Sequence, residues 1–218
     1  SKNFGGAENL ISIPGFVGAA PIQNIGAYGV EIKDIFVSCS GYFLNTLEKK
    51  KFELNDCQFS YRSSIFKKSL RNKFIITEVV LQLSKTNHKI TKSYKSINDA
   101  LNNKKIHNPT IKDIARIVSK IRENKLPNPS LIGNSGSFFK NPIVSIELLN
   151  KLKQKFSKLV YFKESASKYK LSAAWLIENC NFKNIEEKNV GVYKNQALVI
   201  TNLGLSLIHI SEPTRQVL

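Results

Sequence analysis

At 218 residues, 42% of them apolar, the chain can bury one large core or two small ones, and it is too apolar for disorder. Its 33 Lys and Arg against 16 Asp and Glu leave a formal charge of +17. The cations run through every segment beside abundant Asn and Ile, the bias of AT-rich coding. A dedicated nucleic-acid surface is therefore not expected, while an anionic small ligand such as a nucleotide sugar is favoured.

No stretch approaches the roughly 18 consecutive apolar residues of a membrane helix. Cys39, Cys57 and Cys180 show no C-x-x-C spacing, and His88, His107 and His209 are equally scattered. The expectation is a cytoplasmic chain with free thiols, no metal and no membrane segment.

In chain order, Ser1 to Asn9 offers no full element, so a preceding part of the fold is expected to lie outside this sequence. Residues 35–44 (IFVSCSGYFL) are β-branched and aromatic, and 51–54 (KFEL) follow a polar turn at Asn45 to Lys50. This predicts a hairpin. Residues 74–83 (FIITEVVLQL) predict a third strand. Residues 84–110 are polar and carry no predicted element. From Thr110 the period changes: Ile111, Ile114, Ala115, Val118 and Ile121 recur at helical spacing behind a Thr110 N-cap, predicting a helix over 111–123. Leu126-Pro127-Asn128-Pro129 stops it and marks a domain boundary near residue 126.

Further helices are predicted after Ser145 and after Ser172, and a strand over 197–201. The fold class is α+β in two parts, residues 1–125 and 126–204.

Two stretches stand out for chemistry. Ile13 to Gly29 (IPGFVGAAPIQNIGAYG) is a run of small residues whose glycines let backbone approach a ligand closely. It does not open a helix with G-x-G-x-x-G, so a dinucleotide fold of that kind is unsupported. Gly136 to Pro142 (GSFFKNP) reads as a Gly/Ser loop before two aromatics. Arg62, in Tyr61-Arg62-Ser63-Ser64, has the forked donor geometry for a carboxylate or phosphate. No hydrolase-type nucleophile elbow is present. Taken by themselves these features reach only a ligand-binding α+β protein.

Five ordered segments carry a resemblance further. Ile13–Gly29, CQFSYRSSIFK at Cys57–Lys67, RENKLPNP at Arg122–Pro129, GNSGSFFKNP at Gly133–Pro142 and KLSAAWLIENCNFK at Lys170–Lys183 resemble the UDP-N-acetylenolpyruvoylglucosamine reductase family, in family order. The resemblance implies a partial FAD-binding domain of the vanillyl-alcohol-oxidase type over 1–125, then an α/β substrate-binding domain over 126–204. It implies reduction of UDP-N-acetylglucosamine enolpyruvate to UDP-N-acetylmuramate for peptidoglycan, with NADPH and FAD, by a cytoplasmic monomer.

Carried over position by position, Arg62 resembles the family's carboxylate-stabilising arginine and Ser137 its proton donor. Gly15, Gly18, Ala19, Ile22, Gly26, Ile76 and Arg122 fall at flavin-contacting positions. Tyr94, Lys125, Asn141, Tyr161 and Gln196 fall at UDP-sugar positions. Tyr94, in the long 84–110 segment, resembles the class with a tyrosine-bearing loop over the substrate. The family's C-terminal catalytic glutamate has no counterpart. LSLIHISEPTRQ, within residues 205–218, resembles the translation of a sequencing adapter, so Glu212 is not assigned that role. This chain by itself is expected to bind FAD poorly and turn over little; stoichiometric flavin with NADPH-dependent turnover would contradict that.

Overall fold

The computed structural model describes residues 3–204, so the adapter-like tail lies outside the described residues. Its contacts divide the chain into two compact units, the first running to Arg122 and the second starting at Glu123.

The first unit opens with 3-10 turns at Glu8–Leu10 and Val17–Ala19, then a two-residue ladder, β1 (Gly26–Ala27) with β2 (Val30–Glu31). Its main sheet has the order β4-β3-β5, from β3 (Phe36–Phe43), β4 (Lys49–Glu53) and β5 (Phe74–Leu81), all antiparallel. These are the three predicted strands, with ends shifted by one to two residues. Phe36, Cys39, Phe52, Cys57, Ile65, Phe66 and Phe74 bury one face. Phe52 meets Phe66 and Phe74 edge-on at 5.3 and 5.1 Å between ring centroids, pairs that each add about 0.5–1.5 kcal/mol beyond burial. All three cysteines are free.

The 84–110 segment corrects the sequence reading. Lys95–Asn103 is a helix, α1, where no element was predicted. Its apolar stripe is only Ile97, Ala100 and Leu101 within a Lys/Asn/Ser-rich stretch, too thin to declare itself. It becomes a helix because it packs on α2 (Ile111–Lys125) through Ile114, Ile117 and Val118. α2 itself begins as expected. The Thr110 hydroxyl accepts from the Asp113 amide at 3.3 Å, while Asp113 Oδ2 accepts from the Thr110 amide at 2.9 Å. The Thr110 hydroxyl also donates to Asp113 Oδ2 at 2.7 Å, and this bond, with that from the Thr110 amide, holds the Asp113 carboxyl below its ordinary range.

In the second unit, β6 (Gly133–Ser137) corrects a second expectation, since GNSGS was read as loop. Gly, Asn and Ser are poor strand formers. Pairing with a distant partner imposes the conformation. Five further elements follow: β7 (Ile143–Ser145), α3 (Ile146–Lys155), β8 (Tyr161–Lys163), β9 (Lys168–Leu171) and α4 (Ala173–Asn179). Then come β10 (Glu186–Glu187), β11 (Val190–Val192) and β12 (Val199–Asn202). Two sheets result, ordered β10-β11-β12-β6 and β7-β9-β8. Both helices start where Ser145 and Ser172 predicted. Each serine hydroxyl accepts from an amide of the first turn, Leu148 at 3.4 Å and Trp175 at 3.2 Å. Strands β7 to β11, of two to four residues each, had no sequence prediction, whereas β12 answers the strand expected over 197–201.

Candidate active site

The Ile13–Gly29 stretch forms a bare-backbone surface on the first unit. Gly15 has φ +111°, a left-handed value that favours glycine. A Cβ on Gly18 would lie 3.1 Å from the Ile76 carbonyl oxygen, so the 3-10 turn seats directly on β5. Phe16 and Val17 project from this turn at 84% and 61% exposure, and Ala19 is exposed beside them. Gly15, Phe16, Val17 and Ala19 thus form an exposed, largely apolar surface, while Ile76 packs against the aromatic cluster and meets Gly18 through its carbonyl. Ile22 turns inward to the aromatic cluster, and its carbonyl accepts from the Ser64 hydroxyl at 2.6 Å.

In the β1–β2 ladder Gly26 pairs with Glu31. The Arg62 guanidinium packs against it. Nη2 donates to the Gly26 carbonyl, and Nη1 lies 3.6 Å from Glu31 Oε1. A Cβ on Gly26 would stand 2.8 Å from Arg62 Nη1 and 2.9 Å from Glu31 Cγ. Only glycine leaves room for the guanidinium. Arg62 is delivered at φ +52° by a tight turn closed by Ser60 and Ser63, whose amides and carbonyls bond reciprocally at 2.9 and 3.0 Å. Fully buried Asn24 ties turn and ladder together. Its amide donates to Glu31 Oε2 at 2.8 Å and to the Ser60 carbonyl at 3.1 Å, and its Oδ1 accepts from the Lys33 amide at 3.1 Å.

Tyr94 and Arg122 meet at Tyr28. The Tyr94 and Tyr28 rings pack edge-on at 5.3 Å. Arg122 Nε donates to the Ser12 carbonyl at 3.3 Å. Burial raises the Tyr28 phenol, with Arg122 opposing; burial also lowers the Arg122 guanidinium, with Tyr28 opposing. Asn9 fixes the Tyr28 backbone, donating to its carbonyl at 2.9 Å and to that of Thr91 at 3.1 Å. Tyr28, Asn24 and Glu31 were passed over in the sequence, where GAYG drew notice only for its glycines. The available signal was polar side chains, Asn24 and Glu31, inside an otherwise small and apolar run.

On the second unit, Ser137 ends β6, exposed and paired with Val199. Gln196 is buried in the turn that leads into β12, its carbonyl accepting from the Val199 amide at 3.0 Å. Ser137 and Gln196 therefore lie at one end of the β6–β12 pair. Asn141 caps α4, its Oδ1 accepting from the Ala173 amide at 3.0 Å. Tyr161 pairs with Leu171 just before that helix, while the Leu171 amide donates to the Pro142 carbonyl at 2.9 Å. Asn141 and Tyr161 thus flank the start of α4. Lys153 Nζ sits 5.3 Å from the Tyr161 ring centroid. Lys125 is exposed at the last residue of α2.

Each unit so gathers its own half of the assigned residues. The first holds the Arg62 guanidinium against the Gly26 carbonyl and Glu31; the second presents an exposed hydroxyl at a strand end. Among the described residues no His, Cys, Asp and Glu group has metal-binding geometry, and no helix is long and apolar enough to cross a membrane.

Residues 128–207 match the family model described as UDP-N-acetylenolpyruvoylglucosamine reductase, C-terminal domain. The UDP-N-acetylenolpyruvoylglucosamine reductase of Flavobacterium johnsoniae is 48% identical over 203 residues, covering 93% of this chain and 60% of that protein. The Amoebophilus asiaticus reductase is 46% identical, with 93% and 60% covered. That of Pseudomonas fluorescens Pf0-1 is 42% identical, with 94% and 60% covered. The crystal structure of the Thermus caldophilus reductase superposes with a TM-score of 0.59 at 19% identity, over 93% of this chain and 55% of that one, a likeness of fold. The chain spans about 60% of the length of the curated relatives it matches, and over that length it is similar to UDP-N-acetylenolpyruvoylglucosamine reductases.

Proposed function

We propose that this chain carries the carboxylate-binding and proton-donating parts of an NADPH-dependent reductase that converts UDP-N-acetylglucosamine enolpyruvate to UDP-N-acetylmuramate in peptidoglycan precursor synthesis. One observation supports this above the rest. The Arg62 guanidinium is held in a fixed place by the Gly26 carbonyl and Glu31. A cation fixed in advance stabilises developing negative charge without reorganising during the reaction. Arg62 meets the enolpyruvyl carboxylate. The Ser137 hydroxyl gives a proton to the adjoining carbon.

FAD, when bound, supplies the two-electron chemistry that links NADPH to the enolpyruvyl double bond. The residues present fit it in part: Gly15, Gly18 and Ala19 offer close backbone and small side chains, and Arg122 reaches the same stretch at the Ser12 carbonyl. Ile22 and Ile76, whose side chains pack on the aromatic core, and Gly26, whose open side faces Arg62, would meet it through backbone atoms. The first unit would be the flavin-binding part, of the vanillyl-alcohol-oxidase type, and the second the substrate-binding domain. Lys125 serves the substrate diphosphate, Tyr161 and Tyr94 its aromatic and hydroxyl contacts, and Asn141 and Gln196 its polar ones. The enzyme acts in the cytoplasm as a monomer.

The test grafts residues 3–204 in place of the matching 203 residues of the Flavobacterium johnsoniae reductase. The expected result is NADPH oxidation that depends on the enolpyruvyl substrate. Oxidation that proceeds equally without substrate would refute the assignment.

A further inference from the structure

The polar ring around Arg62 holds a group without a role so far, Glu31. In β2 it faces Gly26 across the ladder, and its carboxylate is used at both oxygens. Oε1 lies 3.6 Å from Arg62 Nη1; Oε2 accepts from Asn24 Nδ2 at 2.8 Å and lies 3.0 Å from Lys33 Nζ. Asn24 is fully buried and its amide also reaches the turn that presents Arg62, through the Ser60 carbonyl at 3.1 Å. Glu31 therefore cannot swing away without breaking a buried hydrogen bond.

A carboxylate beside an anion-binding arginine raises a question of charge, since it competes with the ligand. Lys33 answers it. Lys33 and Arg62 balance the two carboxylates here, Glu31 and Asp34, whose Oδ2 accepts from the Glu31 amide at 2.8 Å, and the lysine sits closer to Glu31 than the guanidinium does, 3.0 against 3.6 Å. The pair with Arg62 is long enough to orient the guanidinium while leaving it attractive to an anion. Of the five N–H donors of an arginine, one goes to the Gly26 carbonyl and one faces Glu31.

We infer that Glu31, held by Asn24 and balanced by Lys33, is the positioning residue that sets the rotation of the Arg62 guanidinium and so the edge it offers to a substrate carboxylate. This rests on the reading of Arg62 as the group that meets that carboxylate. Glu31 touches no reacting atom; it acts through Arg62. Gly26 completes the device by leaving unfilled the space in which the guanidinium lies.

The experiment is side-chain NMR of arginine in the isotopically labelled 218-residue chain, with Arg62 identified by loss of its signals in Arg62→Lys. In the parent, a held guanidinium gives separate Nη1 and Nη2 resonances at low temperature. UDP-N-acetylglucosamine enolpyruvate is then added and the Arg62 signals are followed. In Glu31→Gln, which keeps size and an acceptor but not charge, the Nη signals are expected to merge. The substrate response should move to about tenfold higher concentration, a loss near 1.4 kcal/mol. Glu31→Asp, which keeps the charge, should restore separate signals at least in part. Gly26→Ala, which leaves Glu31 in place but fills the guanidinium space, gives a second route to the same merging should Glu31→Gln fail to fold.

Separate Nη signals and an unchanged substrate response in Glu31→Gln would overturn the inference. A different result marks failure of the underlying reading: Nη signals that depend on Glu31 but ignore the substrate. That outcome removes Arg62 from the carboxylate, and the positioning role with it, while the clamp itself stays measured.

Discussion

The two units solve the same problem, holding a polar group ready, in different ways. Around Arg62 the first unit uses side chains. Buried Asn24 alone makes three hydrogen bonds, and the whole ring of Asn24, Gly26, Glu31, Lys33 and Ser60 comes from two short stretches of chain. Around Ser137 the second unit uses backbone. Ser137 is exposed on a strand of poor strand formers, held in register by β12 more than sixty residues away, with Val199 opposite and the Phe138 amide donating to the Leu198 carbonyl at 2.8 Å. An anion-binding cation benefits from a fixed orientation, since its strength depends on aim. A hydroxyl that gives a proton needs only to be delivered to the right place, and a paired strand end does that.

The contrast is open to attack by substitution, and the largest effect should come at the cation. In the chimera, Arg62→Ala is expected to lower turnover of the enolpyruvyl substrate by about 10²–10³-fold, the usual cost of removing one preorganised charge-stabilising donor. Steady-state kinetics checks it; a loss below tenfold would place the cation outside the reaction.

Next comes stability. Asn24→Ala in the 218-residue chain removes three hydrogen bonds made by a fully buried side chain, for an expected loss of about 2 kcal/mol. The single tryptophan, Trp175, lies in the second unit, so its fluorescence reports that unit while circular dichroism reports both. Asn24→Ala should shift the urea transition seen by circular dichroism and leave the fluorescence transition where it was. Coincident shifts would show that the two units unfold together and blunt the contrast.

Ser172→Ala is the counterpart in the second unit. Loss of the α4 cap should cost about 1 kcal/mol and move the fluorescence transition. The smallest effect is one of pH. Burial raises the Tyr28 phenol above its ordinary value of 10.0, so the folded state favours the neutral phenol. Its contribution is complete below pH 10.0 and is lost as pH rises toward and through the raised value. Tyr28→Phe should flatten this alkaline decline in the circular-dichroism transition; an unaltered decline would assign it elsewhere.

Most of the first unit was legible in the sequence. Two eight-residue strands rich in β-branched and aromatic residues, a short one following a polar turn, and a helix with a full apolar stripe announce themselves through local pattern, and Thr110, Ser145 and Ser172 mark helix starts by their own chemistry. What escaped was structure imposed from a distance. GNSGS becomes β6 only because β12 pairs with it, and α1 forms on three apolar residues because α2 offers a matching face. The site divides likewise. Ordered motifs located Arg62 and Ser137. The partners that hold Arg62 were invisible, since nothing in one dimension says that Gly26 leaves room for a guanidinium or that Glu31 stands across from it.

The central proposal, that Arg62 and Ser137 belong to one reductive chemistry, is tested most directly by separating its two half-reactions in the chimera carrying Ser137→Ala. The bound flavin's absorbance should still fall on addition of NADPH at the parent rate. Subsequent consumption of the enolpyruvyl substrate should drop by about 10²–10⁴-fold, as befits loss of a positioned proton donor. Survival of both half-reactions at parent rates would contradict it.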